Sequence, residues 1–273
     1  MSCLPAVLLL VFRLALAQAH SWIECIDTDR TVVYDNARNF IYGGSAAAGA
    51  CQGYPYNYLG RREGVVDSQL LVKILKDDYN KPLTHVCKPE PPSYNGQGYG
   101  KRVAVHPGEI MYFAYMPNGH VAVDQAARGT LYGIYWTGRP DSRLTLTSDL
   151  TDDRLVDYQR YDFDDGNCGQ TYSSRKLRIP SGRAGDSFPC VGQFSIPEGI
   201  PPGIYSFVWM WKFWDEANDK REVETVGGKY GGAAYSSCFD VEVLDSSGID
   251  AFPPSHHGAV VVDENETAIP GIE

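Results

Sequence analysis

Short runs rich in β-branched and aromatic residues recur along the chain between clusters of Gly, Pro, Asn and Asp. They are LLVKIL at 70–75, IMYFAYM at 110–116, GTLYGIYW at 129–136, GQFSIP at 192–197, GIYSFVWMWKFW at 203–214 and SCFDVEVL at 237–244. Runs of this length, punctuated by turn residues and without a sustained 3.6-residue apolar period, predict an all-β fold. The expected architecture is an antiparallel immunoglobulin-like or fibronectin-like β-sandwich with long loops, helix being confined to short pieces in those loops. VAVHPGEIMYFAY reads as a Pro-Gly turn feeding a strand. IPEGIPPGIYSFVWMW reads as a proline-rich loop feeding another, because proline lacks the N–H that a central strand needs.

The two ends of the chain break this pattern. MSCLPAVLLLVFRLALAQA is an apolar run of signal-peptide length that ends in Ala17-Gln18-Ala19, the small-x-small triplet that precedes cleavage. Arg13 interrupts the run, and no basic residue precedes it. Residues 1–19 are therefore read as a signal peptide, residues 20–245 as one domain and residues 246–273 as a polar, acidic, flexible tail. Cleavage after Ala19 leaves His20 as the amino terminus of a secreted, extracellular protein. The tail carries the sequon Asn265-Glu266-Thr267.

Charge and cysteine usage narrow the class. Loss of Arg13 with the signal takes the formal net charge from −10 to −11, which argues against nucleic acid and anionic membranes as partners and disfavours an acidic polymer. Of seven cysteines, Cys3 leaves with the signal. The remaining Cys25, Cys51, Cys87, Cys168, Cys190 and Cys238 form an even set, as expected for three disulfides in an exported protein, with the pairing left open.

An amino-terminal histidine offers two nitrogen ligands, its free α-amine and its ring Nδ1. The amine has an ordinary pKa of about 8, so a metal displaces its proton at little cost near neutral pH. One further imidazole gives a three-nitrogen tetragonal field that suits Cu(II). His120, in the Pro-Asn-Gly turn just past the aromatic strand YFAYMPNGHVAV, is the candidate second ligand; as a bland alternative it is a polar turn residue. His106 sits in a turn expected at the opposite end of that strand, His85 lies in a loop near Cys87, and His256 and His257 fall in the tail. None of these four is assigned to the site. Tyr235 in AAYSSCFDVEV is the candidate axial residue. Period-two alternation puts Tyr235, Ser237 and Phe239 on one face and leaves Cys238 on the other, free to bridge. Phe239 is the fallback for the axial role, and a core tyrosine is the bland alternative.

Taken together, HSWIEC directly after a signal peptide, the distal Asn118-Gly119-His120, IPPGIYSFVWMW and the terminal YSSC resemble a lytic polysaccharide monooxygenase. The resemblance covers residues 20 to about 244. It implies one copper per chain, an external electron donor, hydrogen peroxide or oxygen as co-substrate, a polysaccharide substrate and a monomer. In cellulose-active fungal members a similar Tyr-x-x-Cys carries the axial tyrosine, here Tyr235 and Cys238. Those members have a glutamine two residues earlier, where this chain has Ala233. Trp209, Trp211 and Lys212 lie on a strand that could approach the metal instead.

The HSW opening, CQGYPY at 51–56 and Gly60-Arg61-Arg62 are most similar to the oomycete pectin-active branch, auxiliary activity family seventeen. That implies homogalacturonan as substrate. Tyr54, Tyr56 and Tyr58 are then candidate sugar-stacking faces, and Arg61 and Arg62 candidate partners for uronate carboxylates. The competing expectation is that this Tyr/Pro-rich loop packs against its own domain. Cellulose or chitin as substrate, and a non-catalytic secreted copper-binding sandwich, are the alternatives in function. DFDDGNCG at 162–169 lacks the carboxylate spacing of an EF-hand loop and reads as a solvated turn.

Overall fold

A computed structural model of the chain describes residues 21–34, 47–60, 72–88, 92–115, 131–156, 161–162, 190–212 and 232–245. In chain order the strands are β1 (Ile23–Asp27), β2 (Val72–Leu75), β3 (Val103–Val105), β4 (Ile110–Tyr115), β5 (Leu131–Trp136), β6 (Tyr161–Asp162), β7 (Cys190–Ser195), β8 (Gly203–Lys212) and β9 (Ala233–Val243). Helices α1 (Arg30–Tyr34) and α2 (Lys76–Tyr79), with two single 3-10 turns at Thr147–Asp149 and Asp152–Arg154, lie in the connections.

The strands form two sheets, ordered β1-β4-β7 and β2-β9-β8-β5-β6, with antiparallel pairing along both paths. β3 adds a parallel pairing to β9, Val105 opposite Val243, that the sequence pattern does not reveal. Aromatic rings from the two inner faces fill the space between the sheets. Phe194 packs on Phe207 at 5.2 Å, Phe113 on Tyr132 at 5.8 Å and Tyr115 on Trp209 at 5.2 Å between centroids. Full burial of a ring of this size stabilises the fold by roughly 1.5–3 kcal/mol relative to leaving it in water, so this row is the main adhesive between the layers.

The outer face of the larger sheet is covered as well. Val208, Met210, Ala234 and Cys238 form a second buried cluster with Tyr56, Val86, Leu144, Leu150 and Leu155 from the loops. This second layer is why β8 and β9 are buried almost without interruption rather than at every second residue. Two disulfides fasten the connections to the sheets, Cys25–Cys51 and Cys87–Cys238, and Cys190 is disulfide-bonded as well.

Candidate functional site

β1 and β4 run antiparallel and meet at the register pair Ile23–Tyr115, so β1 begins and β4 ends at the same end of the smaller sheet. There the Tyr115 ring lies 5.2 Å from Trp209 and 6.1 Å from Trp211 of the facing sheet. Trp211 pairs in register with Tyr235, their ring centroids 6.3 Å apart. The Ile23 backbone N–H donates to Ser237 Oγ at 2.9 Å, fixing the start of β1 two residues from Tyr235. The alternation expected for β9 is present. Tyr235 and Phe239 lie in the core between the sheets, whereas Cys238 lies in the outer cluster and bridges to Cys87.

Tyr235, 1% exposed, thus stands at the end of the sandwich from which the segments bearing His20 and His120 depart. Those two histidines lie outside the described residues, as do Arg61, Arg62, Cys168, Asn265, His256 and His257. His106 directly follows β3, whose Val105 pairs with Val243 at the far end of β9, so it is remote from Tyr235 as the sequence suggests. His85 is exposed and bridges to Leu146 in the loop layer over the outer face. Among the described residues no three His, Cys, Asp or Glu side chains come together as a metal site.

Of the strand proposed to approach the metal, Trp209 and Trp211 face the inter-sheet core beside Tyr115. Lys212 points the other way, its Nζ 4.5 Å from the Tyr79 ring centroid. Ser21 Oγ and the Trp209 indole N–H are buried at this end without a hydrogen-bond partner. A buried polar group left in that state costs about 1–3 kcal/mol, and among the described residues these two groups have no partner. A donor set of one α-amine, two imidazoles and a phenol, as expected of His20, His120 and Tyr235, is of the kind that suits Cu(II).

The tyrosines at 54–58 correct one expectation. Tyr54, Tyr56 and Tyr58 are 1%, 8% and 4% exposed, so their rings offer no face to a sugar. Tyr54 stacks on Tyr58 at 5.6 Å and both meet Tyr99 edge-on at 5.1 Å. The hydroxyls are committed too: that of Tyr56 to Asp240, that of Tyr58 to Glu24, and that of Tyr54 to the Ala47 carbonyl. The stretch is packed against its own domain because each ring is amphipathic and each polar tip finds an internal acceptor.

Glu24 and Asp240 are buried carboxylates that sequence reasoning passed over. Glu24 occupies a register shift in β1, where Ile23 pairs with Tyr115 but Cys25 pairs with Ala114. A bulge of this kind re-aims a side chain, here towards Tyr58. Asp240 accepts from Tyr56 and from Ser206 at 2.6 Å and lies 3.6 Å from the Arg143 guanidinium. Burial, and then the adjacent Asp240 carboxylate, hold the Tyr56 phenol far above its ordinary pKa. Tyr94, whose hydroxyl accepts the Asp240 backbone N–H at 3.0 Å, is raised for the same two reasons. The sequence signal for this network was the polar residue at an even position of β9; it was legible only once the loop layer was known to cover that face.

Residues 17–268 match the model of the family described as a domain of unknown function (DUF7492). No curated protein matches the chain. Among solved structures it is similar to a glycoside hydrolase family 61 member, Cel61B from Hypocrea jecorina, at 16% identity and a TM-score of 0.33 over 66% of this chain. The match spans 64% of that protein's length. It is also similar to the extended catalytic domain of H. jecorina LPMO9A, at 14% identity and a TM-score of 0.36 over 85% of this chain and 77% of that one. A third is a lytic polysaccharide monooxygenase described as important for efficient utilization of chitin in Cellvibrio japonicus. There the identity is 13% and the TM-score 0.31, over 82% of this chain and 100% of that one.

Proposed function

We propose that this chain, which belongs to the DUF7492 domain family, is a secreted copper-dependent lytic polysaccharide monooxygenase acting on a plant cell-wall polysaccharide, with homogalacturonan as the substrate of first choice. The observation that supports this reading is the register pair Ile23–Tyr115 together with the Ile23–Ser237 hydrogen bond. His20 is three residues before Ile23 and His120 five residues after Tyr115, so at about 3.3–3.6 Å per residue both are within reach of the end walled by Tyr235.

In this reading His20 would hold copper through its α-amine and ring, His120 would supply a third nitrogen, and Tyr235, its ring 6.3 Å from that of Trp211, would wall the site. Copper there would supply the one-electron redox chemistry that activates oxygen or peroxide against a glycosidic C–H bond. The contribution of the chain would be positional: the aromatic core fixes Tyr235 and the β1 and β4 termini, which would let the donors meet with little reorganisation. Arg61 and Arg62 would pair with uronate carboxylates.

The test is product analysis. Secreted protein incubated with homogalacturonan and ascorbate should release oxidised oligosaccharides. Omission of ascorbate, chelation of copper, or His120→Ala should each abolish them. Release that is independent of reductant and copper would mean a hydrolase or lyase, and copper binding without products a non-catalytic copper protein.

A further inference from the structure

A cleft of about 320 Å³ opens beside the packed tyrosines, bounded by Asn57, Leu59, Ser93, Asn95 and Gln97 over a floor of Tyr58 and Tyr99. Among the described residues no charged side chain lines it. The side chains of Asn57, Ser93 and Gln97 make no hydrogen bond among the described residues, although an amide or hydroxyl at a rim is an ordinary donor and acceptor. Leu59, at 47% exposure, is one of the few large apolar side chains left to solvent.

The walls are preorganised. Gly100 N–H donates to the Gln97 carbonyl at 2.7 Å, and the N–H groups of Asn95 and Gly96 both donate to the Gly100 carbonyl, at 3.0 and 2.8 Å. Asn95 Oδ1 also accepts the Gln97 N–H at 3.0 Å. A Cβ on Gly100 would lie 2.2 Å from Asn95 Oδ1, so the loop closes this tightly only around glycine. Ligand sites have this composition, an apolar floor with a few convergent polar groups on a rigid frame.

We infer that this cleft binds one uncharged, hydroxyl-bearing sugar ring of a polysaccharide, the ring's C–H face lying on Leu59 and Tyr99 and its hydroxyls meeting Asn57, Ser93 and Gln97. Among the described lining residues a uronate carboxylate finds no cation, so on a galacturonan the unit favoured in this cleft is a methyl-esterified or neutral one. The cleft is joined to the candidate metal end through Tyr58, whose hydroxyl donates to Glu24, four residues after His20. Binding itself requires no copper; only its use as a subsite beside the cleaved bond rests on the monooxygenase reading.

The experiment is calorimetric titration of metal-free, full-length secreted protein with fully methyl-esterified and fully de-esterified galacturonan hexamers. The expected result is binding of the esterified hexamer with an affinity insensitive to salt and weakened about tenfold or more by Ser93→Ala/Gln97→Ala, since two hydrogen-bonding heads are removed. The double variant should melt with the native protein, both residues being exposed. Absence of binding at millimolar hexamer, unchanged binding by the variant, or a preference for the de-esterified hexamer that survives Arg61→Ala/Arg62→Ala would overturn the inference. Because copper is absent, failure here leaves the oxidative activity to be judged separately, and failure of that activity leaves this binding intact.

Discussion

The Ser237 hydroxyl accepts the backbone N–H of Ile23 across 214 residues of sequence, at 2.9 Å in a buried setting. Ile23 already pairs with Tyr115 of its own sheet, so this bond ties the start of β1 to the facing sheet. Ser237→Ala leaves the N–H buried without its acceptor and should cost about 1–3 kcal/mol. Urea unfolding of the two proteins measures the difference. The same variant should weaken copper binding, because the residues preceding Ile23 lose their anchor; an unaltered metal affinity would separate the anchor from the site.

Cys87–Cys238 closes a loop of 151 residues and pins the loop layer to the middle of β9. The chain-entropy model gives up to about 5 kcal/mol for a closure of that length. Cys87→Ser/Cys238→Ser should therefore produce a large fall in stability under oxidising conditions, read as a lower denaturant midpoint. A fall below roughly 1 kcal/mol would mean that the layer is held by packing of Val86, Leu144 and Leu155 instead.

Tyr56 and Asp240 predict an alkaline dependence. The folded phenol's pKa lies above its unfolded value of 10.0, so the folded state holds a proton that the unfolded state releases. The resulting stability is intact below pH 10 and is lost as the pH rises above it. At pH 7, Tyr56→Phe should cost about 1–3 kcal/mol by removing a donor to a buried carboxylate. Denaturant unfolding from pH 8 to 11 should show the gap between native and variant narrowing above pH 10. A constant gap would contradict the assignment.

Tyr235 separates packing from chemistry. Tyr235→Ala should cost roughly 3–5 kcal/mol for a fully buried ring. Tyr235→Phe keeps the ring against Trp211 and should retain most of the stability, while altering the Cu(II) spectrum if the proposed axial role holds, because the phenol oxygen is removed. Unfolding curves and electron paramagnetic resonance on the same samples check both halves.

The strands that sequence makes visible are those whose apolar runs are long. The run at 203–214 corresponds to β8, and alternation in β9 correctly assigns Tyr235 and Cys238 to opposite faces. β1 was not visible because IECID contains two acids, yet all five residues are buried. Glu24 and Asp27 find internal donors, in Tyr58 and in the backbone N–H groups of Asp29 and Gln52, that no local pattern announces. The same blindness affected Tyr54, Tyr56 and Tyr58, whose burial depends on acceptors far away in sequence. Of the candidate site, the alternation that puts Tyr235 in the core was legible, whereas the common end that β1 and β4 share through their register was not, because β1 itself was not visible. The loop layer over the larger sheet was not, since it arises from segments of mixed polarity and is held by a disulfide of unstated partner.

The proposed function stands or falls with His20, which as a free amino terminus would hold copper together with His120. Cu(II) titration followed by electron paramagnetic resonance tests it on secreted protein whose amino terminus has been established by mass spectrometry. The comparison is a form carrying one additional alanine before His20. Tight one-to-one binding with an axial three-nitrogen spectrum, lost in the extended form and in His120→Ala, is expected. Weak binding that is indifferent to the extension would contradict it.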